Sequence, residues 1–251
     1  MKANFRYLGN LATGLALFTS AAHVKAVEYV IGTDPWPPFT IMDEGEYRGI
    51  DVDIANELQR RLPDISFRFQ RIPWVRALRY MEQGKIDAIT GLAKTDERSE
   101  YIRYTSPPYY SECSSVFYVR KESGIQISSY EDLYRYKVGY VLNSAYFERF
   151  DKDGKLRKHS VSDEDQLLDM LIHGRIDTII GTNCQIQYHI KIKGALDQVE
   201  EANWGPKNNV DLYFGLSKRS AIVAEQHRLN AAIKSLKDEG VIEKIVKQYF
   251  E

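Results

Sequence analysis

Two cysteines in 251 residues exclude a disulfide-stapled mini-fold and any four-cysteine zinc site. No apolar run reaches the roughly 18 residues that a membrane-spanning helix needs. Neither charge is in excess, the formal net charge being −1, which argues against a general binder of polyanions. A phosphate loop, a nucleophile elbow and a His-Glu-x-x-His pair are all absent from the sequence. His173, His189 and His227 stand at no metal-ligand spacing, so no metal or cofactor is expected. A Cys184/His189 nucleophilic pair is conceivable, but five residues apart on one helix the two would more simply share a side.

What is present starts with a leader. Residues 1–26 carry Lys2 and Arg6 early, then the short apolar stretch LATGLALFTSAA at 11–22, then Val24-Lys25-Ala26. A positive start, an apolar middle and a small-residue exit describe a secretory signal peptide, expected to be cut after Ala26. No cysteine stands at the cut to carry a lipid, so a soluble, exported, periplasmic protein is expected. Without the leader the chain holds 31 basic and 35 acidic residues, a poor match for nucleic acid.

Beyond the leader, strand and helix patterns alternate. Residues 28–33, 65–72, 86–92, 114–120, 137–142 and 176–181 read as strands; 54–62, 74–83 and 164–173 read as helices. A helix is also expected to start at Ser144, and Ser162 is expected to open the 164–173 helix with Asp165 as its capping-box partner. The alternation predicts an α/β fold with mostly parallel sheets. One stretch echoes another: MEQGKIDAITG at 81–91 and LIHGRIDTIIG at 171–181 share helix end, Gly, basic residue, Ile-Asp and apolar strand. Two lobes of one construction would explain it, and a cleft between them would be the default site.

Four segments carry a resemblance. VIGTDPWPPFTIMDEGEYRGIDVDIANEL, GKIDAITGLAKTDERSEYIRYTSPPYY, YKVGYVLNSAYF and GVIEKIVKQYF are similar, in order, to the signatures of family 3 periplasmic solute-binding proteins, the polar amino acid receptors of ABC transporters. The resemblance implies a two-lobed, type II binding-protein fold, with lobe one at 27–115 plus 213–251 and lobe two at 116–212. Two strands, near 114–120 and 211–217, would cross the hinge. It implies a small-molecule ligand, a membrane ABC permease as partner, and a monomer. It also implies transport rather than catalysis. The family includes periplasmic cyclohexadienyl dehydratases and ligand-sensing modules, so these stand as alternatives.

The resemblance also implies site residues. Arg98 matches the arginine that takes the ligand's carboxylate, and a planar guanidinium fork suits that group. Ser144 and the backbone of Ala145, at the expected helix start, would favour an anion. Gly91 matches a close backbone approach. Trp36 and Trp74 match aromatics that sandwich the ligand body, and Arg76 could face the cleft beside them. The departures are informative. Thr182 stands where such receptors place the aspartate that holds the α-ammonium, and Ala93 stands where they place a hydroxyl. Either Asp34, Asp43 or Glu112 replaces the missing acid, or the ligand is a carboxylate without an α-ammonium. Cys113 and Cys184 could form one disulfide in an exported protein, which would restrict lobe opening.

Overall fold

The computed structural model describes residues 26–250; apart from Ala26, the expected signal peptide lies outside them. The first lobe begins with β1 (Val27–Thr33), a small hairpin of β2 (Ile41–Asp43) and β3 (Glu46–Arg48), and α1 (Ile50–Arg61). It continues through β4 (Ile65–Arg71), α2 (Trp74–Gln83), β5 (Ala88–Leu92), α3 (Asp96–Ser99) and β6 (Ile102–Tyr104). A long strand, β7 (Tyr110–Arg120), leads to the second lobe: β8 (Lys137–Val141), α4 (Glu148–Lys152), β9 (Arg157–Val161) and α5 (Glu164–Ile172). There follow β10 (Thr178–Thr182), α6 (Asn183–Lys193), β11 (Val199–Glu201) and the returning strand β12 (Asn209–Ser217); α7 (Gln226–Asp238) and α8 (Val241–Phe250) close the described chain.

One curled sheet runs through both lobes in the order β4-β1-β5-β12-β7-β10-β8-β9, with β6 beside β12 and β11 beside β7. The pairs β1–β4, β1–β5, β8–β9 and β8–β10 are parallel, as the alternation predicts. The two crossing strands are antiparallel to their neighbours, so the sheet is mixed, not mostly parallel.

Pairing changes hands inside those strands. On β12, Tyr213–Ser217 pair with β5 and β6, whereas Asn209–Leu212 pair with β7. On β7, Tyr110–Ser114 pair with β12, whereas Ser115–Arg120 pair with β10 and β11. Each lobe buries apolar side chains on both faces of its half of the sheet. Ile31, Ile54, Leu58 and Phe214 pack on one face of the first lobe, and Leu78, Met81 and Ile89 on the other. In the second lobe Leu167, Leu171 and Ile179 oppose Phe117, Phe150 and Ile180.

The internal echo is a repeated device. Gly84 and Gly174 end their helices at φ +69° and +68°, in the left-handed region that glycine enters without a Cβ penalty. Three residues on, Asp87 accepts from the Val30 N–H at 2.6 Å and Asp177 from the Lys137 N–H at 2.7 Å. Each aspartate thus ties its strand to a neighbouring one in the same way.

Two local expectations are corrected. No helix starts at Ser144: Asn143 adopts φ +60°, which turns the chain out of a helical path, and α4 begins only at Glu148. The cap of α5 is Asp163, not Ser162; its side chain accepts from the Gln166 N–H at 2.8 Å. Cys113 and Cys184 form a disulfide with Cα atoms 5.6 Å apart, which removes any nucleophilic role for Cys184. Cys184 is the second residue of α6, yet it packs into the first lobe's core beside Cys113.

Candidate functional site

Several elements end at one pocket between the lobes. The loop after β1 brings Asp34 and Trp36, the start of α2 brings Trp74, and the end of β5 brings Gly91 and Ala93. From the second lobe come Ser144, Ala145 and Tyr146 after β8, Glu164 at the start of α5, and Thr182 and Gln185 at the β10–α6 junction. All eight residues singled out in the sequence, Asp34, Trp36, Trp74, Gly91, Arg98, Ser144, Ala145 and Thr182, line this pocket. Arg76 is exposed and does not line it, nor do Asp43 and Glu112. The cavity is about 70 Å³, room for a small molecule and not for a polymer. It opens onto a wide surface groove through Ala93, Arg98, Ser144, Ala145 and Tyr146, which line both.

Arg98 is the pocket's one cationic side chain. Thr95 caps the short α3 by accepting from the Arg98 N–H at 3.1 Å, which fixes where the side chain starts. Its guanidinium donates to the Ala93 carbonyl at 2.8 Å and, across the cleft, to the Asn143 carbonyl at 2.7 Å. It also lies 5.4 Å from the Trp74 ring. Only 6% of Arg98 is exposed, and burial pushes its pKa below the ordinary value. No carboxylate bonds it among the described residues. A buried guanidinium neutralised only by carbonyl dipoles is a strong attractor for an anion.

Two donors next to it are unsatisfied. Trp74 Nε1 and Ser144 Oγ are buried and make no hydrogen bond among the described residues, although Ser144 lies beside the Tyr146 hydroxyl. The Tyr146 hydroxyl accepts from the Val141 N–H at 3.0 Å, which holds the Ser144 turn in place. Ser144 therefore offers a hydroxyl from a loop, not a helix N-terminus. Trp36 and Trp74 sit with ring centroids 5.7 Å apart and planes tilted by 52°, so they form a corner and not a parallel sandwich. Trp36 packs against the cores of both lobes.

Three carboxyl groups also face the pocket. Asp51 is buried and takes the Tyr109 hydroxyl at 2.6 Å, and burial pushes it up to about 6. Gly91, at φ +67°, leaves room for that pair: a Cβ there would stand 3.3 Å from Asp51 Oδ2. Asp34 accepts from the Trp74 N–H at 3.2 Å. Glu164 is pushed up to about 8, first by burial and then by Asp163 and Asp34. Sequence reasoning missed Glu164, because an acid in the first turn of a helix ordinarily signals only a favourable helix dipole. Thr182 is engaged with Gln185, its hydroxyl donating to Oε1. Asn183 Oδ1 accepts from Ser114 N–H on the crossing strand at 2.9 Å, so this corner is tied to the hinge.

Comparison with known proteins gives a consistent picture. A sequence profile of bacterial extracellular solute-binding proteins, family 3, matches residues 29–251. The histidine-binding periplasmic protein of Escherichia coli K12 is 29% identical over 258 residues, covering 96% of this chain and 95% of its own. The arginine-binding periplasmic protein of Mannheimia haemolytica is 26% identical over 240 residues, covering 91% and 93%. Among solved structures, an ancestral amino acid-binding protein that is a precursor of cyclohexadienyl dehydratase superposes with a TM-score of 0.74. It is 22% identical, covering 89% of this chain and 95% of its own.

Proposed function

The chain belongs to the bacterial extracellular solute-binding proteins of family 3, and from that membership we propose that it captures a small carboxylate-bearing solute, an amino acid or a close relative, between its lobes. The observation that carries this reading is Arg98, buried in the inter-lobe pocket with carbonyl partners only. The solute's carboxylate takes the guanidinium, with Ser144 Oγ as a further donor from the other lobe. Trp36 and Trp74 cover its body. The histidine and arginine receptors among the relatives support an amino acid as the solute class.

We place lobe one at 27–115 plus 213–251 and lobe two at 116–212. The changes of strand partner at Ser114/Ser115 and Leu212/Tyr213 support these bounds. The closed, loaded form of a periplasmic monomer is then what an ABC permease would receive. A second reading, a dehydratase on this fold, has Glu164 in its favour. A carboxyl group still protonated at neutral pH inside the pocket is what a general acid requires. Incubation with a cyclohexadienyl acid would yield an aromatic product if that reading held; the transport reading expects none.

The test is a thermal-shift screen of the standard amino acids and small carboxylates. A solute at ~100 times its dissociation constant adds ~2.7 kcal/mol of stability, which at this chain length raises Tm by roughly 5–10 °C. Shifts of that size confined to carboxylate-bearing compounds are expected. A screen in which no carboxylate moves Tm would end the reading.

A further inference from the structure

The wall that the second lobe gives to the pocket is rich in hydrogen-bond donors. Gln185, in the first turn of α6, lines the pocket and is only 6% exposed. The two ends of its amide have different fates. Oε1 takes the Thr182 hydroxyl, whereas Nε2 makes no hydrogen bond among the described residues. With its acceptor end engaged, the amide offers a solute its N–H groups. Thr182 precedes α6 without capping it by its side chain, so its hydroxyl is free to hold Gln185 in this sense.

The rest of the wall agrees. Ser144 Oγ is unpartnered among the described residues, and burial, which pushes Glu164 up to about 8, leaves a proton on that acid at pH 7. The start of α6 adds the positive end of a helix dipole at the Gln185 corner. That corner is firmly framed. Asn183 Oδ1 accepts from the Ser114 and Cys184 N–H groups, each at 2.9 Å, and Cys184 is bonded to Cys113. A buried donor in such a frame is left unpaired by a solute that offers it no acceptor, which is a large source of discrimination.

We propose that Gln185 is a specificity-determining residue whose Nε2 N–H groups receive an oxygen acceptor of the solute, a carbonyl, a carboxamide or a second carboxylate, while Arg98 holds the first carboxylate from the other lobe. This rests on the carboxylate-capture reading and names what the solute carries besides that carboxylate. Thr182 is the positioning residue: with its hydroxyl on Oε1, the amide keeps its nitrogen for the solute. Because Gln185 and Arg98 belong to different lobes, a solute with both groups gains more from closure than one with the carboxylate alone.

The experiment uses L-glutamine, L-asparagine, succinamate and succinate. Each is set beside the compound that ends at the same carbon without the oxygens: norvaline, 2-aminobutyrate, and butyrate for the last two. Calorimetry on wild type should show an acceptor-bearing solute bound at least roughly tenfold more tightly than its oxygen-free partner. Gln185→Met, of similar length and with its fold checked by its melting curve, should bind that pair within about threefold. Gln185→Glu, which puts an acceptor where the donor stood, should bind the acceptor-bearing solute at least roughly tenfold more weakly than wild type. Thr182→Val, which frees the amide to turn, should lose part of the preference and keep the fold. A wild type that prefers the oxygen-free partners, or a cationic amino acid such as lysine, would overturn the proposal. So would Q185M keeping the preference, or Q185E binding the acceptor-bearing solute as well as wild type. If no carboxylate of any kind binds, the carboxylate-capture reading itself fails, which is a different outcome.

Discussion

Arg98 Nη2 donates to the carbonyl oxygen of Asn143 at 2.7 Å, joining the end of the first lobe's α3 to the β8 turn of the second. A hydrogen bond to a charged donor contributes ~1.5–3 kcal/mol, more than a solvent-screened surface pair such as Lys152–Glu148 can. This one side chain thus bonds across the lobes and faces the pocket. Lysine would keep the charge and lose the fork. Arg98→Lys should reach only one of the two carbonyls while holding a carboxylate, and calorimetry should show affinity lowered by roughly tenfold or more. Wild-type affinity in that variant would show that the fork is not used.

Closure should follow the solute. The pocket is lined by Arg98 from one lobe and Ser144 and Glu164 from the other, so a solute that touches both sides would favour the closed state by its differential affinity. Small-angle scattering with a saturating amino acid should give a smaller radius of gyration than without it. An unchanged radius would count against hinge closure.

The disulfide should matter more to stability than to that motion. Cys113 lies on β7 one residue before the last β12-paired position, so the bridge sits at the hinge and not across the pocket mouth. With partners 71 residues apart, its loss should cost ~2–4 kcal/mol, lowering Tm by roughly 4–16 °C at this size. The double variant Cys113→Ser, Cys184→Ser should show that drop and still compact on binding. An unaltered Tm would contradict the first part, and a loss of compaction the second.

Acidity and stability are linked with a definite sign. Glu164, at about 8 in the folded chain, lies above its ordinary value of 4.5. Its proton favours the fold fully below pH ~4.5 and that contribution is lost as pH rises through 8. Asp51, at about 6, acts in the same direction but is spent earlier. His189 acts oppositely: burial lowers its pKa, so stability is lost as pH falls below its ordinary 6.5. Melting curves without solute should show Tm falling between pH 6.5 and 8.5, and a flatter profile in E164Q. Superimposable profiles would remove Glu164 as the titrating group.

Much of this was legible from residue order, for reasons that differ by region. The α/β alternation was clear because apolar residues such as Ile54 and Leu58 recur on one helix face while the 86–92 run is continuous. The echo around Gly84 and Gly174 was readable because a left-handed turn and a strand-tying aspartate need those residue types. Arg98 could be found because the segment GKIDAITGLAKTDERSEYIRYTSPPYY resembles a family signature, and in the structure Thr95 caps its turn. The Ser144 segment misled because nothing in VLNSAYF announces the φ +60° at Asn143, which asparagine tolerates better than most residues. Glu164 was invisible for a different reason: in the first turn of α5 an acid reads as a helix-dipole residue, and only the fold shows it buried and lining the pocket. The two cysteines permitted a bridge, but only the fold brings their Cα atoms to 5.6 Å.

The central claim is that Arg98 holds a carboxylate of the captured solute. Calorimetry of the amino acid that stabilises the protein most, beside its carboxamide, in wild type and in Arg98→Ala, addresses it most directly. Removing one partner of a buried charged pair costs ~2–5 kcal/mol; ~2 kcal/mol corresponds to roughly thirtyfold. Wild type should prefer the acid over the amide by at least that factor, and R98A, folded by its melting curve, should bind both weakly and within about threefold of each other. A wild-type protein indifferent to the carboxylate, or an R98A variant that keeps the preference, would contradict the account.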